Sequence, residues 1–268
     1  MAVFFVAPIM TMLLASLHRA QSGLTGSDLT LANYVRFLSD FVYYRVVWRT
    51  LQLGLTVTLC CLVLGFPLAY SLARTRGSAR RGLAVMLLLF PLMTSVVVRS
   101  YGWTILLGET GLVNAMLTGL GLTAGPVRLL YTDTGTVIAL VEVLLPFMVL
   151  SLMAVIQTVH RNLEEAARSL GAGVGRVFLD VVLPLSMPGV AAGSVLVFIL
   201  AIGAFVTPAL IGGARTLVIP MLVYQQAMVV VDWPFAAAIS FIFLIFVLLL
   251  VRLTAHFLES HRRWRGAR

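Results

Sequence analysis

Apolar residues fall into six runs, at residues 2–17, 47–73, 83–107, 135–157, 189–211 and 234–258, separated by polar or glycine-rich stretches. About 20 residues of α-helix cross the hydrocarbon core of a bilayer. Five runs exceed that length and the first barely reaches it. The pattern therefore predicts an all-α integral membrane protein, a single transmembrane domain over residues 1–268 with six spanning helices. The first run has no basic leader of the kind a signal peptide needs, and is read as a span. Residues 19–46 form an external segment, in which TLANYVRFL has the pattern of a short amphipathic helix lying along the interface, capped by Thr30. Gly54, Gly65 and Pro67 in the second run are the small and helix-bending residues that let membrane helices approach closely. Pro91 interrupts the third run, and the fifth dissolves at Thr207-Pro208 and Gly212-Gly213.

The connection at 158–188 is a polar interlude in a chain otherwise fit for a membrane. Asn162 followed by Glu165 predicts a capping box that opens a helix of about two turns, and Gly171 offers the left-handed stop. Between them Ala166, Ala167 and Leu170 make a small, smooth face, while Glu164, Glu165 and Arg168 carry charge. A helix this short is unstable alone. It must be held by the flanking spans and dock against something else, most simply another protein.

Composition fits a membrane chain. It is 60% hydrophobic and 11% charged, with a mean hydropathy of +1.04, whereas charged residues make up about a quarter of an ordinary soluble domain. All 19 basic residues are arginine, and they lie in loops rather than in a soluble basic domain with interleaved aromatics, so nucleic acid is excluded as a partner and membrane lipid is the surrounding medium. The loops 74–82 and 158–182 and the tail 259–268 hold eleven arginines, against five in 19–46, 108–134 and 214–234. By the positive-inside rule the polar connection and both termini are cytoplasmic. Cys60 and Cys61 are adjacent in an apolar run and read as inert thiols. No metal-ligand spacing, Ser/His/Asp set or GxxxxGK[ST] loop is present, and without lysine the last cannot occur. The chain is therefore read as a transport subunit and not an enzyme, with no cofactor of its own.

Glu165-Ala166-Ala167, then Gly171 after three residues, then Val181-x-Leu183-Pro184 after nine more, resembles the EAA loop of ABC-importer permeases, departing from it only in Val181 for Ile. In that family the first helix of the loop is the coupling helix, seated in a groove of a cytoplasmic ATPase. The resemblance implies that Glu164, Glu165, Ala166, Ala167, Leu170, Gly171 and Pro184 couple the chain to that ATPase. LVLGFPLA at 62–69, VRSYGW at 98–103, LPFMV at 145–149, FVTPALIGG at 205–213, and YQQ and DWPFA within 224–236 are similar to permeases of spermidine/putrescine-type importers. Permeases for other organic cations, amino-acid derivatives and ferric iron share parts of these stretches. The resemblance implies a type I importer fold in a bacterial cytoplasmic (inner) membrane. It also implies two ATPase subunits carrying ATP and Mg, a second permease, homologous or identical, and an extracytoplasmic solute-binding protein. The solute would be a polyamine or related organic cation.

Polar residues inside the spans mark a candidate translocation path or gate. Glu142 lies about 10 Å into the fourth run and Arg99 at similar depth in the third, where charge is costly unless paired or functional. They either form an ion pair between two helices, or Glu142 faces the path and meets a cationic solute. Asp232 with Trp233 suits a cation through charge and ring face, and suits equally a cap on the sixth helix. Thr207-Pro208 and Gly212-Gly213 read as an external gate or as a plain helix end, with Tyr224 lining the same vestibule or lying at the interface. A stand-alone secondary transporter or channel is the competing class. Such a carrier often has inverted repeats and coupling-ion carboxylates, and the chain has no convincing repeat and one deep carboxylate.

Overall fold

A computed structural model describes residues 2–21, 24–75, 77–213 and 216–266. Three helices form the centre: α3 (Phe41–Arg74), α7 (Asp133–Ile156) and α10 (Leu183–Ile202), all packed against one another. Small residues set how closely they approach. A Cβ on Gly54 of α3 would fall 2.4 Å from Ile202 Cγ2, and Cβ atoms on Gly189 and Gly193 of α10 would fall 2.9 Å from Val155 Cβ and Met148 Sδ of α7. Lipid tails are as apolar as the side chains, so close packing of this kind, rather than escape from water, holds such helices together. Val57, Cys61, Met148, Val149, Leu152, Ile156 and Val197 fill the seam.

Around this centre, α1 (Ala2–Ser16) lies along α12 (Trp233–Gly266). The interfacial helix α2 (Ala32–Ser39) and α11 (Ile219–Tyr224) join α3 and α12 in a second cluster built on Phe37, Tyr43, Val46, Ile219 and Phe235. Tyr43 stacks on Phe37 at 5.6 Å and tilts against Phe235 at 5.2 Å.

The sequence pattern is corrected at several points. Among the described residues four helices are long and apolar enough to cross a membrane, Phe41–Arg74, Asp133–Ile156, Val174–Ile202 and Trp233–Thr254, with a fifth if one bent pair counts as a single span. That pair replaces the expected third span at 83–107. α4 (Ser78–Leu89) passes through a 3-10 turn at Phe90–Met93 into α5 (Val96–Leu106), with a bend of 92°, and the short α6 (Leu112–Gly119) follows. Pro91 sits in the turn, where its missing N–H breaks the ladder. The expected first span at 2–17 is the 15-residue α1, shorter than a full crossing.

The connection at 158–188 is also shorter than the pattern suggests. α8 (Arg161–Ser169) is followed by α9 (Val174–Val177), which runs through a wide turn at Phe178–Val182 directly into α10. Pro184 has no N–H for the carbonyl four residues back, and the Leu183 N–H bonds to Phe178 O, one residue further than the α-helical pattern. Residues 19–46 hold a small antiparallel ribbon, β1 (His18–Gln21) with β2 (Leu24–Leu29), ahead of the expected helix. Thr30 Oγ1 accepts from the Ala32 N–H at 3.1 Å. Asn33, buried, donates to Ser16 O and His18 O at 2.9 Å each, and so fixes α2 to the end of α1.

Candidate functional site

α8 is held against the C-terminal end of α3 by side chains. It begins at Arg161, with His160 at the cap position and no side-chain cap bond. The expected Asn162/Glu165 capping box is therefore absent, because Asn162 already lies inside the first turn. Glu164, expected among the charged residues of this helix, is 5% exposed. Its Oε1 pairs with Arg74 Nη2 and its Oε2 accepts from Tyr70 Oη at 2.7 Å. Arg74 Nη1 donates to Val159 O at 3.1 Å, and Arg161 Nη2 donates to Arg74 O at 2.6 Å.

These contacts leave the other face of α8 bare. Glu165, Ala166 and Arg168 are exposed, Ala167 is half-buried, and Leu170 is 89% exposed. Gly171 has φ +87°, and a methyl group placed on its Cα would meet nothing within 4 Å, so the requirement for glycine there is conformational rather than steric. The Gly171 and Ala172 N–H groups close the helix on Arg168 O and Ala167 O at 2.9 and 3.0 Å. Pro184 is exposed in the first turn of α10.

At the other candidate site α5 is the meeting point. Arg99 Nε lies 3.5 Å from Glu142 Oε2 on α7, Trp103 Nε1 donates to the same oxygen at 3.4 Å, and Arg99 Nη1 donates to Pro91 O at 2.5 Å. Glu142 Oε1 makes no contact of this kind among the described residues. The next residue on α5, Ser100, shares a hydrogen bond of 3.3 Å with Thr207, both buried. Thr207 and Pro208 open a wide turn, Pro208–Gly212, that is seated in protein. Ile211 O accepts from the Tyr131 N–H at 2.8 Å, and a Cβ on Gly212 would meet Thr216 Cβ at 2.5 Å and Thr136 Oγ1 at 2.9 Å. Gly213 takes φ +61° beneath the Tyr131 ring. Tyr224, half exposed, reaches the start of this segment through Phe205, ring to ring at 5.1 Å.

Asp232 and Trp233 belong to a different neighbourhood. Asp232 Oδ1 accepts from the Phe235 N–H at 3.1 Å, closing the first turn of α12, and Oδ2 pairs with Arg36 of α2 at 3.0 Å. Arg36 lies over the Phe235 ring at 4.1 Å, while Trp233 is about half exposed. Sequence reasoning missed Tyr70, Arg74, Ser100 and Trp103. It also missed Asp133, which holds Arg49 at 2.8 Å and accepts from Thr216 Oγ1 at 2.9 Å. Arg74 ends the second apolar run, and its position was the available signal.

A bundle of apolar helices that carries a short polar helix clamped at one end is the architecture of a multi-pass membrane protein, and the proteins it resembles make it a transport subunit. The chain belongs to the binding-protein-dependent transport system inner membrane component family, whose profile matches residues 62–263. It is 41% identical over 211 residues to the spermidine/putrescine transport system permease protein PotB of Escherichia coli, covering 79% of this chain and 76% of that one. The Haemophilus influenzae protein of the same description is 35% identical over 240 residues, covering 89% and 83%. The molybdenum transport system permease protein ModB of Mycobacterium bovis is 34% identical over 197 residues, covering 72% of each. A bacterial alginate ABC transporter, solved in complex with an alginate pentasaccharide-bound periplasmic protein, shares the fold, with a TM-score of 0.77 at 18% identity over 95% of this chain and 88% of that one.

Proposed function

We propose that this chain conducts a polyamine or related organic cation inward as one of two permeases over two ATPase subunits, which bind the ATP and Mg, and that an extracytoplasmic binding protein delivers the solute. The reading takes α1 and the bent α4–α5 pair as the first and third of six crossings, with both termini and α8 cytoplasmic, in line with the arginine bias. The observation that carries it is the bare face of α8. Ala166 and Leu170 stand clear of the bundle, with Ala167 half-buried beside them, while Glu164 anchors the opposite side, as a helix built to enter another protein's groove requires. The choice of solute rests on likeness to the two spermidine/putrescine permeases, with Glu142 as the deep carboxylate available to a cation.

The test is uptake of labelled putrescine into vesicles holding this chain, its partner permease and the ATPase, with the binding protein outside. Uptake that needs both ATP and binding protein is expected. Uptake without ATP would transfer the chain to the class of secondary carriers, and ATP-driven uptake of molybdate in place of putrescine would overturn the choice of solute.

A further inference from the structure

We infer that Glu164, Arg74 and Tyr70 are positioning residues that tie the docking helix to α3, making α3 the rod that carries displacement of α8 to the outer gate segment. The inference rests on the reading of α8 as the ATPase-docking helix.

At the inner end, Glu164 is gripped on both oxygens by α3, from Arg74 and from Tyr70. Arg74 also holds Val159 in the turn before α8, and Arg161 of α8 returns a bond to the Arg74 carbonyl. The side chains of Arg74 and Glu164 are 15% and 7% exposed. Pulling α8 from α3 would strand two charges with little water, so the two elements move together.

At the outer end, α3 has a second joint. Thr50, fully buried, accepts from the Ile219 N–H at 3.0 Å, and Arg49 holds Asp133, which in turn holds Thr216. Thr216 and Ile219 lie just beyond the Thr207 to Gly213 segment, and Thr216 presses on Gly212. The 24 residue steps from Thr50 to Arg74 span about 36 Å of helix. Between the joints, Gly54 and Gly65 seat the rod directly on Ile202 and Met148 of its neighbours. A stiff element with a specific bond at each end, packed in a close-fitting groove, is a physical route between two distant sites.

The experiment uses the complete transporter in vesicles and reads two quantities: ATPase copurification, and putrescine taken up per ATP hydrolysed. Glu164→Gln and the milder Tyr70→Phe are expected to retain the ATPase while uptake per ATP falls by about two- to thirty-fold, the span of measured coupling effects for residues along such routes. The reversed pair, Glu164→Arg with Arg74→Glu, is expected to recover part of the ratio. An unchanged ratio in Glu164→Gln overturns the inference, as does loss of the ATPase in both single variants, which would make the cluster a matter of folding alone. Ala167→Trp, run beside them, separates the failures. If it keeps the ATPase, the docking reading falls and this inference with it; if it loses the ATPase while Glu164→Gln transports normally, only the rod falls.

Discussion

Removing Arg99 should destabilise the protein more than neutralising Glu142, and removing both should cost less than the sum. At 3.5 Å the charges attract by about 5 kcal/mol at an effective dielectric constant of about 20, before desolvation is subtracted. Their other contacts make the losses unequal. Glu142→Gln keeps an oxygen for Trp103 Nε1, and Arg99 keeps Pro91 O, so the cost falls to about 1–2 kcal/mol, below the ~3–5 of a fully stranded buried partner. Arg99→Gln leaves the carboxylate at depth with only the 3.4 Å Trp103 contact, and the cost approaches ~3 kcal/mol. Glu142 is 28% exposed on its side chain, which keeps both figures from the upper end. The double variant should lie at least ~1 kcal/mol below additivity. Denaturant titration of the purified chain in mixed micelles measures the cycle. Additivity within about 0.5 kcal/mol would refute the pairing as an energetic unit. Uptake reads the second role of Glu142. If its free Oε1 meets the cation, Glu142→Gln lowers putrescine uptake and the added Arg99 change does not restore it.

Ala167→Trp should insert and fold yet lose the ATPase in copurification, and Gly171→Val should act through the turn at a cost of about 1–2 kcal/mol, since a branched residue resists φ +87°; normal uptake by Ala167→Trp would remove the docking reading. Gly54→Ala should cost about 1–3 kcal/mol through the 2.4 Å contact with Ile202 Cγ2, and Ile202→Ala in the same chain should recover part of it; a thermal melt unchanged by Gly54→Ala would show that α3 and α10 separate freely. Asp232→Ala should cost about 1 kcal/mol for the lost cap, with the partly exposed Arg36 pair adding less, and leave cation uptake intact because both Asp232 oxygens are already engaged; a fall in uptake with normal stability would restore the cation reading of Asp232.

Four spans, and a bent fifth, were legible because a bilayer demands long helices with internally satisfied backbones, and that demand writes itself as apolar runs. Their ends were not, for the same reason. α3 begins at Phe41 and α4 at Ser78, in residues the apolar runs leave out, and α10 is continuous back to Val174. Hydropathy sees the part of a helix inside the hydrocarbon and is blind to its continuation into water. Pro91 announced an interruption, but the 92° angle depends on what α5 packs against, which is Thr207 and Glu142, far away in sequence. The Arg99–Glu142 contact was open to inference because consecutive spans run in opposite directions and both residues lie at matching depth.

The burial of Glu164 was not legible because adjacent helical residues point about 100° apart, and nothing local says which of Glu164 and Glu165 turns inward. The answer lies ninety residues earlier, at Arg74, whose charge had been counted only as a sign of orientation. The fork of its guanidinium explains why arginine suits that place: Nη2 meets Glu164 while Nη1 meets Val159 O, two partners reached from two nitrogens held in one rigid plane, where a lysine would have to reach both from a single nitrogen. Under the proposed topology, one side chain thus supplies both a positive charge on the cytoplasmic side and the bond that keeps α8 attached to α3. At Arg80 and Arg81, by contrast, no acidic partner is found among the described residues. An arginine count therefore treats as equal residues that differ in their contacts.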